Sequence, residues 1–231
     1  MKRQTVYWRA PGIEAVFSSD CRSSYPLHTH ARSCVLGLVM RGSVRTVICG
    51  TLRVFGAGEQ FFVPVDAPHS LESADGFPYS LLSVCLPCGK TADSEPGGRM
   101  LRLKELILES PGRQLSVQEM ARLAGASPYH FMRTFKAECG LSPHQFQMQC
   151  RIRMAQRLLE AGMGAADAAC AAGFFDQSHF SRCFRRAVAL TPGEYRQSVR
   201  RISAERREEF REQAEPAASG TDFVRRSRLH D

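Results

Sequence analysis

The feature that most restricts this chain is a repeat of its own sequence. His130-Phe131-Met-Arg133-Thr-Phe135-Lys136 returns 49 residues later as His179-Phe180-Ser-Arg182-Cys-Phe184-Arg185, and Leu141-Ser-Pro143-x-x-Phe146 returns at the same offset as Leu190-Thr-Pro192-x-x-Tyr195. Ala124-Gly125 matches Ala172-Gly173 at an offset of 48, so the turn in the second copy is one residue longer. A period of this length marks a repeated supersecondary unit. Each copy reads as helix, Gly-containing turn, helix. Ser116 and Glu119 form a capping box, Gly125 ends that helix, and Ser127 caps the next with Pro128 at its first position. In the second copy Gly173 ends an Ala-rich helix and Asp176 caps its successor. The layout is that of a helix-turn-helix, whose second helix lies in the major groove of DNA.

Helical spacing divides each second helix into two faces. Phe131 and Phe135, like Phe180 and Phe184, are i, i+4 pairs directed at a core. Tyr129, Met132, Arg133 and Lys136 are left on the outer face of one helix, and Gln177, Ser178, Ser181, Arg182 and Arg185 on that of the other. These are base-reading and phosphate-binding residue types: Arg donates twice to guanine, Gln reads adenine, Tyr and Met meet thymine methyls, Ser and Lys hold phosphate. His130 and His179, beside the core Phe of each copy, read as packing or capping residues.

Charge agrees with this placement. Of the +8 net charge, residues 99–198 carry +6, from fourteen basic against eight acidic residues. A polyanionic partner would dock on that third. Nothing approaches the roughly 20 apolar residues needed to span a bilayer, and the start MKRQTVYWRAPG lacks the apolar core of a secretory signal. The chain is therefore expected in the cytoplasm without a membrane partner, its nine cysteines free thiols.

The two ends of the chain read differently. From Val16 to Leu86 short strands (VLGLVM, SVRTVIC, TLRVF, EQFFVPV, YSLLSVCL) are punctuated by Gly and Pro, as in a barrel or sandwich. The fold class expected is α+β with two domains: an amino-terminal domain over 1–88, a Pro- and Gly-rich linker over 89–99, and helices over 100–199 that begin with Met100, Leu103, Leu106 and Ile107. Residues 200–231 are expected to be a charged, disordered tail.

The segment Ala171-Ala-Gly-Phe-Phe-Asp-Gln-Ser-His-Phe-Ser-Arg-Cys-Phe-Arg185, with Leu190-Thr-Pro-Gly-Glu-Tyr-Arg196, resembles the signature of the AraC/XylS family of transcription regulators. The resemblance covers about 100 residues and implies two helix-turn-helix subdomains joined by a long helix, here Pro143 to Leu159. It implies promoter DNA and RNA polymerase as partners. It sets base-facing positions at Tyr129, Met132 and Arg133, and at Gln177, Ser178, Ser181 and Arg182, in agreement with the face analysis. The family usually has Gly before the Thr-Pro turn, where this chain has Ala189, which leaves the turn geometry open.

Two amino-terminal stretches, His28-Thr-His30 through Gly42 and Gly58 through His69, resemble the first and second cupin motifs, implying a β-barrel sensor. In metal-binding cupins, histidines at the positions of His28, His30 and His69 converge on one ion with a Glu that is absent here; Val35 takes its place, or Cys34 after a one-residue slip. His28 and His30, two apart on a strand, would share a face. A set of three His and one Cys favours nickel, cobalt, copper or zinc over hard cations. The alternative is an organic effector with the histidines as barrel-mouth groups. Cys85-x-x-Cys88 has the spacing of a redox or metal pair. No room remains for separate dimerisation helices, so monomer and homodimer both stand. A cupin metalloenzyme with an accessory helical domain is the rival reading, but it leaves the repeat without a purpose, and the chain is expected not to be an enzyme.

Overall fold

The computed structural model describes residues 4–10, 13–88 and 98–199. The expected tail over 200–231 and most of the expected linker lie outside them. Nine strands come first: β1 (Gln4–Ala10), β2 (Ile13–Cys21), β3 (Tyr25–His28), β4 (Ser33–Arg41), β5 (Ser43–Ile48), β6 (Thr51–Gly56), β7 (Gln60–Val63), β8 (His69–Ser73) and β9 (Tyr79–Pro87). They form a five-stranded sheet in the order β1-β2-β9-β4-β7 and a four-stranded sheet in the order β3-β8-β5-β6. Their facing sides enclose a core of Val35, Val39, Val44, Phe61, Val63, Leu71, Tyr79 and Leu81. The arrangement is cupin-like, but among the described residues no ladder joins the two sheets, so the barrel is not closed. The edge strands β3 and β7 have four residues each.

β1, β2, β3 and β8 are not among the five runs singled out in the sequence, and β1 is the one whose absence matters most. Val6, Tyr7 and Trp8, followed by the Pro11-Gly12 turn signal, are its trace in the sequence. Register puts Tyr7 opposite Val16, and Arg9 opposite Glu14, on the inward side of the five-stranded sheet. There they meet helices instead of strands. Tyr7, 5% exposed, joins the core of the second helix-turn-helix unit with Phe180, Phe184 and Tyr195. Its hydroxyl donates to the Val188 carbonyl at 3.1 Å. Burial raises its pKa well above that of an ordinary phenol, which keeps the donor proton in place. Arg9 bridges Glu14 and Glu160, and Tyr195 donates to the other oxygen of Glu160.

Six helices follow: α1 (Arg99–Glu109), α2 (Val117–Ala124), α3 (Pro128–Cys139), α4 (Pro143–Glu160), α5 (Ala165–Ala171) and α6 (Gln177–Val188), with residues 192–199 also helical. Their starts are the ones the capping residues dictate. Ser116 with Glu119 and Ser142 with Gln145 form complete capping boxes, and Thr191 with Glu194 repeats the pattern. Two cores result, one around Phe131, Phe135, Leu141 and Phe146 and one around Phe180, Phe184, Leu159 and Tyr195. α4 contributes to both.

The Thr-Pro turn keeps its geometry despite the missing Gly. α3 ends at Gly140 with φ 69°, and α6 ends at the equivalent Ala189 with φ 64°. Gly140 could not be replaced in the same way, because a Cβ there would lie 2.4 Å from Pro68 of the amino-terminal domain. At Ala189 an L side chain occupies the left-handed region at a cost of about 1 kcal/mol. Ala189→Gly should therefore raise Tm by a few degrees in thermal unfolding. An unchanged or lower Tm would show that this strain is absent.

Candidate nucleic-acid interface and histidine cluster

The second helix of each unit, α3 or α6, is set by a side-chain cap and a pair of buried rings. Ser127 Oγ accepts from the His130 N–H at 3.4 Å, and Asp176 Oδ1 accepts from the His179 N–H at 2.7 Å. Phe131 and Phe135 on α3, and Phe180 and Phe184 on α6, are fully buried. Rotation about each helix axis is thereby fixed. Tyr129, Met132, Arg133 and Lys136 on α3 are exposed, Tyr129 by 78%. So are Gln177, Ser178, Arg182 and Arg185 on α6, while Ser181 is half-buried. Among the described residues no ion pair engages Arg133, Lys136, Arg182 or Arg185. His179 packs edge-on against Phe174, whereas the His130 ring is exposed beside Thr134. Sequence reasoning missed Phe175, 97% exposed immediately before α6. Its signal was the Phe174-Phe175 doublet, of which only the first ring can enter the core.

The two units are held apart and together by separate devices. α4, with 18 residues, spans about 27 Å, on the scale of the roughly 34 Å that separates major-groove faces one DNA turn apart. At the other end of the contact Gly112 and Gly173 meet backbone to backbone, and Gln114 donates to the Gly173 carbonyl at 3.0 Å. Arg151 and Gln147 of α4 brace the same loop by donating to the carbonyls of Pro111 and Arg113.

In the amino-terminal domain the three motif histidines come together. The ring centroids of His28, His30 and His69 are 4.1–5.1 Å apart, and one nitrogen from each lies within 4.8 Å of the others. His28 stands opposite His69 in the β3–β8 ladder. His30 does not follow strand alternation, since β3 ends at His28, and the turn after it brings the third ring back. The Nδ1 of His28 faces the Pro26 carbonyl at 2.8 Å, and that of His69 faces the Ala67 carbonyl at 3.0 Å. His30 Nδ1 lies 3.6 Å from Cys85 Sγ. Each Nε2 is thus left as the ligand atom, with the other nitrogen oriented by a neighbour as metal-binding imidazoles require. Burial pushes the His28 pKa down to about 3, and lowers those of His30 and His69, so all three are neutral near pH 7.

Cys34 does not join them. Register pairs Val35 with Cys85 on the inward face, so Cys34 points outward, where its thiol meets Cys88. The Cys85-x-x-Cys88 pair is consequently split: Cys85 beside His30, Cys88 beside Cys34. All nine cysteines are free.

Comparison with known proteins places these features. The AraC-like ligand binding domain matches residues 10–125, just over half of the chain, and a helix-turn-helix domain matches residues 120–198. The chain belongs to the AraC/XylS family. Relatives include the uncharacterized HTH-type transcriptional regulator YbfI of Bacillus subtilis, 36% identical over 85 residues, and the HTH-type transcriptional regulator MtrA of Neisseria gonorrhoeae, 30% identical over 83. The first match covers 37% of this chain and 31% of YbfI, the second 36% and 28% of MtrA. The chain thus spans less than a third of either relative. In fold it is similar to ToxT of Vibrio cholerae, with a TM-score of 0.59 and 11% identity over 82% of this chain and 99% of ToxT.

Within this AraC/XylS chain the Gly112–Gly173 contact sets how the two helix-turn-helix units abut. Gly173 has φ 80°, and a Cβ there would lie 2.3 Å from the Gly112 carbonyl oxygen. Gly173→Ala should cost on the order of 2 kcal/mol from strain and the forced separation, read as a lower Tm in thermal unfolding. A Tm equal to the parent's would mean that the loops yield freely.

Proposed function

We propose that this chain is a sequence-specific DNA-binding transcription regulator whose helices α3 and α6 read two major-groove segments of promoter DNA, modulated by an effector in the amino-terminal domain. The observation that carries the reading is the pair of capped helices with equivalent outward arginines, Arg133 and Arg182, left without ion-pair partners among the described residues. The curated relatives are named as transcriptional regulators, which supports the same reading. A regulator of this kind works in the cytoplasm and communicates with RNA polymerase. No described helix is long and apolar enough to cross a membrane. In binding assays on the cognate and scrambled sites, Arg133→Ala and Arg182→Ala should each cost about 1–3 kcal/mol and relax preference at one position. Lys136→Ala should weaken both sites alike. An unchanged cognate-to-scrambled ratio in both Arg variants overturns the assignment of these faces.

The effector that the histidine cluster favours is a late first-row transition metal, nickel, cobalt, copper or zinc, held by the Nε2 atoms of His28, His30 and His69. Three neutral imidazoles without a carboxylate make a poor site for magnesium or calcium. The lowered histidine pKa values carry a sign that can be checked. The neutral ring is the ligand and burial lowers all three values, so protons compete with metal at lower pH than they do at an exposed histidine. Zinc uptake measured by elemental analysis should be as complete at pH 6 as at pH 8, and should be lost in a His28→Ala, His30→Ala double variant. Equal metal content in the double variant, or none in the parent chain, excludes the triad as a metal site and leaves an organic effector.

A further inference from the structure

The histidine cluster is not confined to its own domain. Thr29, between His28 and His30, is 5% exposed and is clamped from above by α4. Its backbone N–H donates to Gln149 Oε1 at 3.2 Å, Gln149 Nε2 donates to the Leu27 carbonyl at 3.3 Å, and Arg153 Nη2 donates to the Thr29 carbonyl. Gln149 and Arg153 are four residues apart, so one face of α4 presents both.

Arg153 is poorly served by the protein. Its guanidinium carries five N–H donors, and the Thr29 carbonyl is its one hydrogen-bond partner among the described residues. No carboxylate lies within ion-pair distance of it among those residues. The nearby acid, Glu14, is committed to Arg9. Yet Arg153 is half-buried and close enough for its charge to act on His28, His30 and His69 alike. A half-buried cation without a counter-charge is costly, and the remedy is an anion. The need grows if the triad is loaded: a divalent ion on three neutral imidazoles beside a guanidinium concentrates three positive charges with no protein carboxylate among them.

We propose that the histidine triad and Arg153 form one site for a small carboxylate, with one oxygen on the triad-held metal ion and the other accepting from the Arg153 guanidinium. The inference rests on the triad holding a metal. A carboxylate suits it because its two oxygens match the fixed fork of a guanidinium, and its single charge matches that of Arg153. The ligand then touches the helix that separates the two DNA-reading units, so occupancy of the amino-terminal domain is felt on α4 without any intervening element.

The test uses the full chain loaded with cobalt(II), whose visible absorption reports its coordination, with acetate as the probe. Elemental analysis first gives the cobalt stoichiometry of the parent chain, Arg153→Gln and Arg153→Lys, and thermal unfolding checks that each is folded. Acetate should shift the parent's cobalt bands saturably. Arg153→Gln should hold as much cobalt while binding acetate at least tenfold more weakly, and Arg153→Lys should fall between. A parent spectrum indifferent to acetate overturns the proposal whatever the variants do, as does equal acetate affinity in folded Arg153→Gln. Tighter binding of inorganic phosphate than of acetate overturns the assignment to carboxylates. Failure of the parent to hold stoichiometric cobalt is a different result: it removes the metal reading itself, and the bridge with it.

Discussion

The structure depends on what one helix buries. α4 has apolar residues for two cores, Phe146 and Cys150 for the first helix-turn-helix unit and Ile152, Ala155 and Leu159 for the second. Between those stripes it buries polar side chains, and a buried polar group is tolerable only when bonded. Gln147 and Arg151 are satisfied by carbonyls of the loop that precedes α2, while Gln149 bonds Thr29 and Leu27 and Arg153 donates to the Thr29 carbonyl. The same requirement that makes these groups expensive to leave unpaired makes them specific. Each fixes where a different part of the molecule lies against the helix.

A second joint reinforces the first. The five-stranded sheet divides its inward face between two partners: β4, β7 and β9 cover the sheet core, and β1 with β2 covers the second helical unit through Tyr7 and Val16. Tyr7 behaves as a core residue of a domain to which it does not belong in sequence. Its ring packs edge-on against Tyr195 at 4.9 Å, and Arg9 and Tyr195 converge on Glu160 at the end of α4. The amino-terminal domain therefore grips α4 near the middle, at Gln149 and Arg153, and at its end, at Glu160. The sheet domain thus touches the spacing helix at two points.

Much of the candidate DNA interface was legible before any coordinates. The repeated Phe pairs give the buried side of α3 and α6, and subtraction leaves Tyr129, Arg133, Gln177 and Arg182 outside. Capping chemistry is local, so Ser127 and Asp176 could be read as helix starts from spacing alone. The histidines were legible as a group only through the resemblance to the two cupin motifs, since His69 meets His28 across the β3–β8 ladder. The fourth ligand was not. Cys34 and Cys85 are 51 residues apart, and which of them faces the triad is decided by the β4–β9 register, where a slip of one residue exchanges inward and outward sides.

What the sequence by itself determined was each unit's local grammar: two helix-turn-helix copies, their caps, their outward faces and a strand-rich domain ahead of them. All of these follow from periodicity and from hydrogen bonds spanning three or four residues. Only the tertiary structure decided that β1 leaves the sheet core for the helices, that Gly112 and Gly173 touch, and that Arg153 stands beside His28, His30 and His69. Those placements join residues 60 to nearly 190 positions apart, and no local preference encodes them. They are settled by which buried polar and aromatic groups can all be satisfied at once, a condition that exists only when both domains are folded against α4.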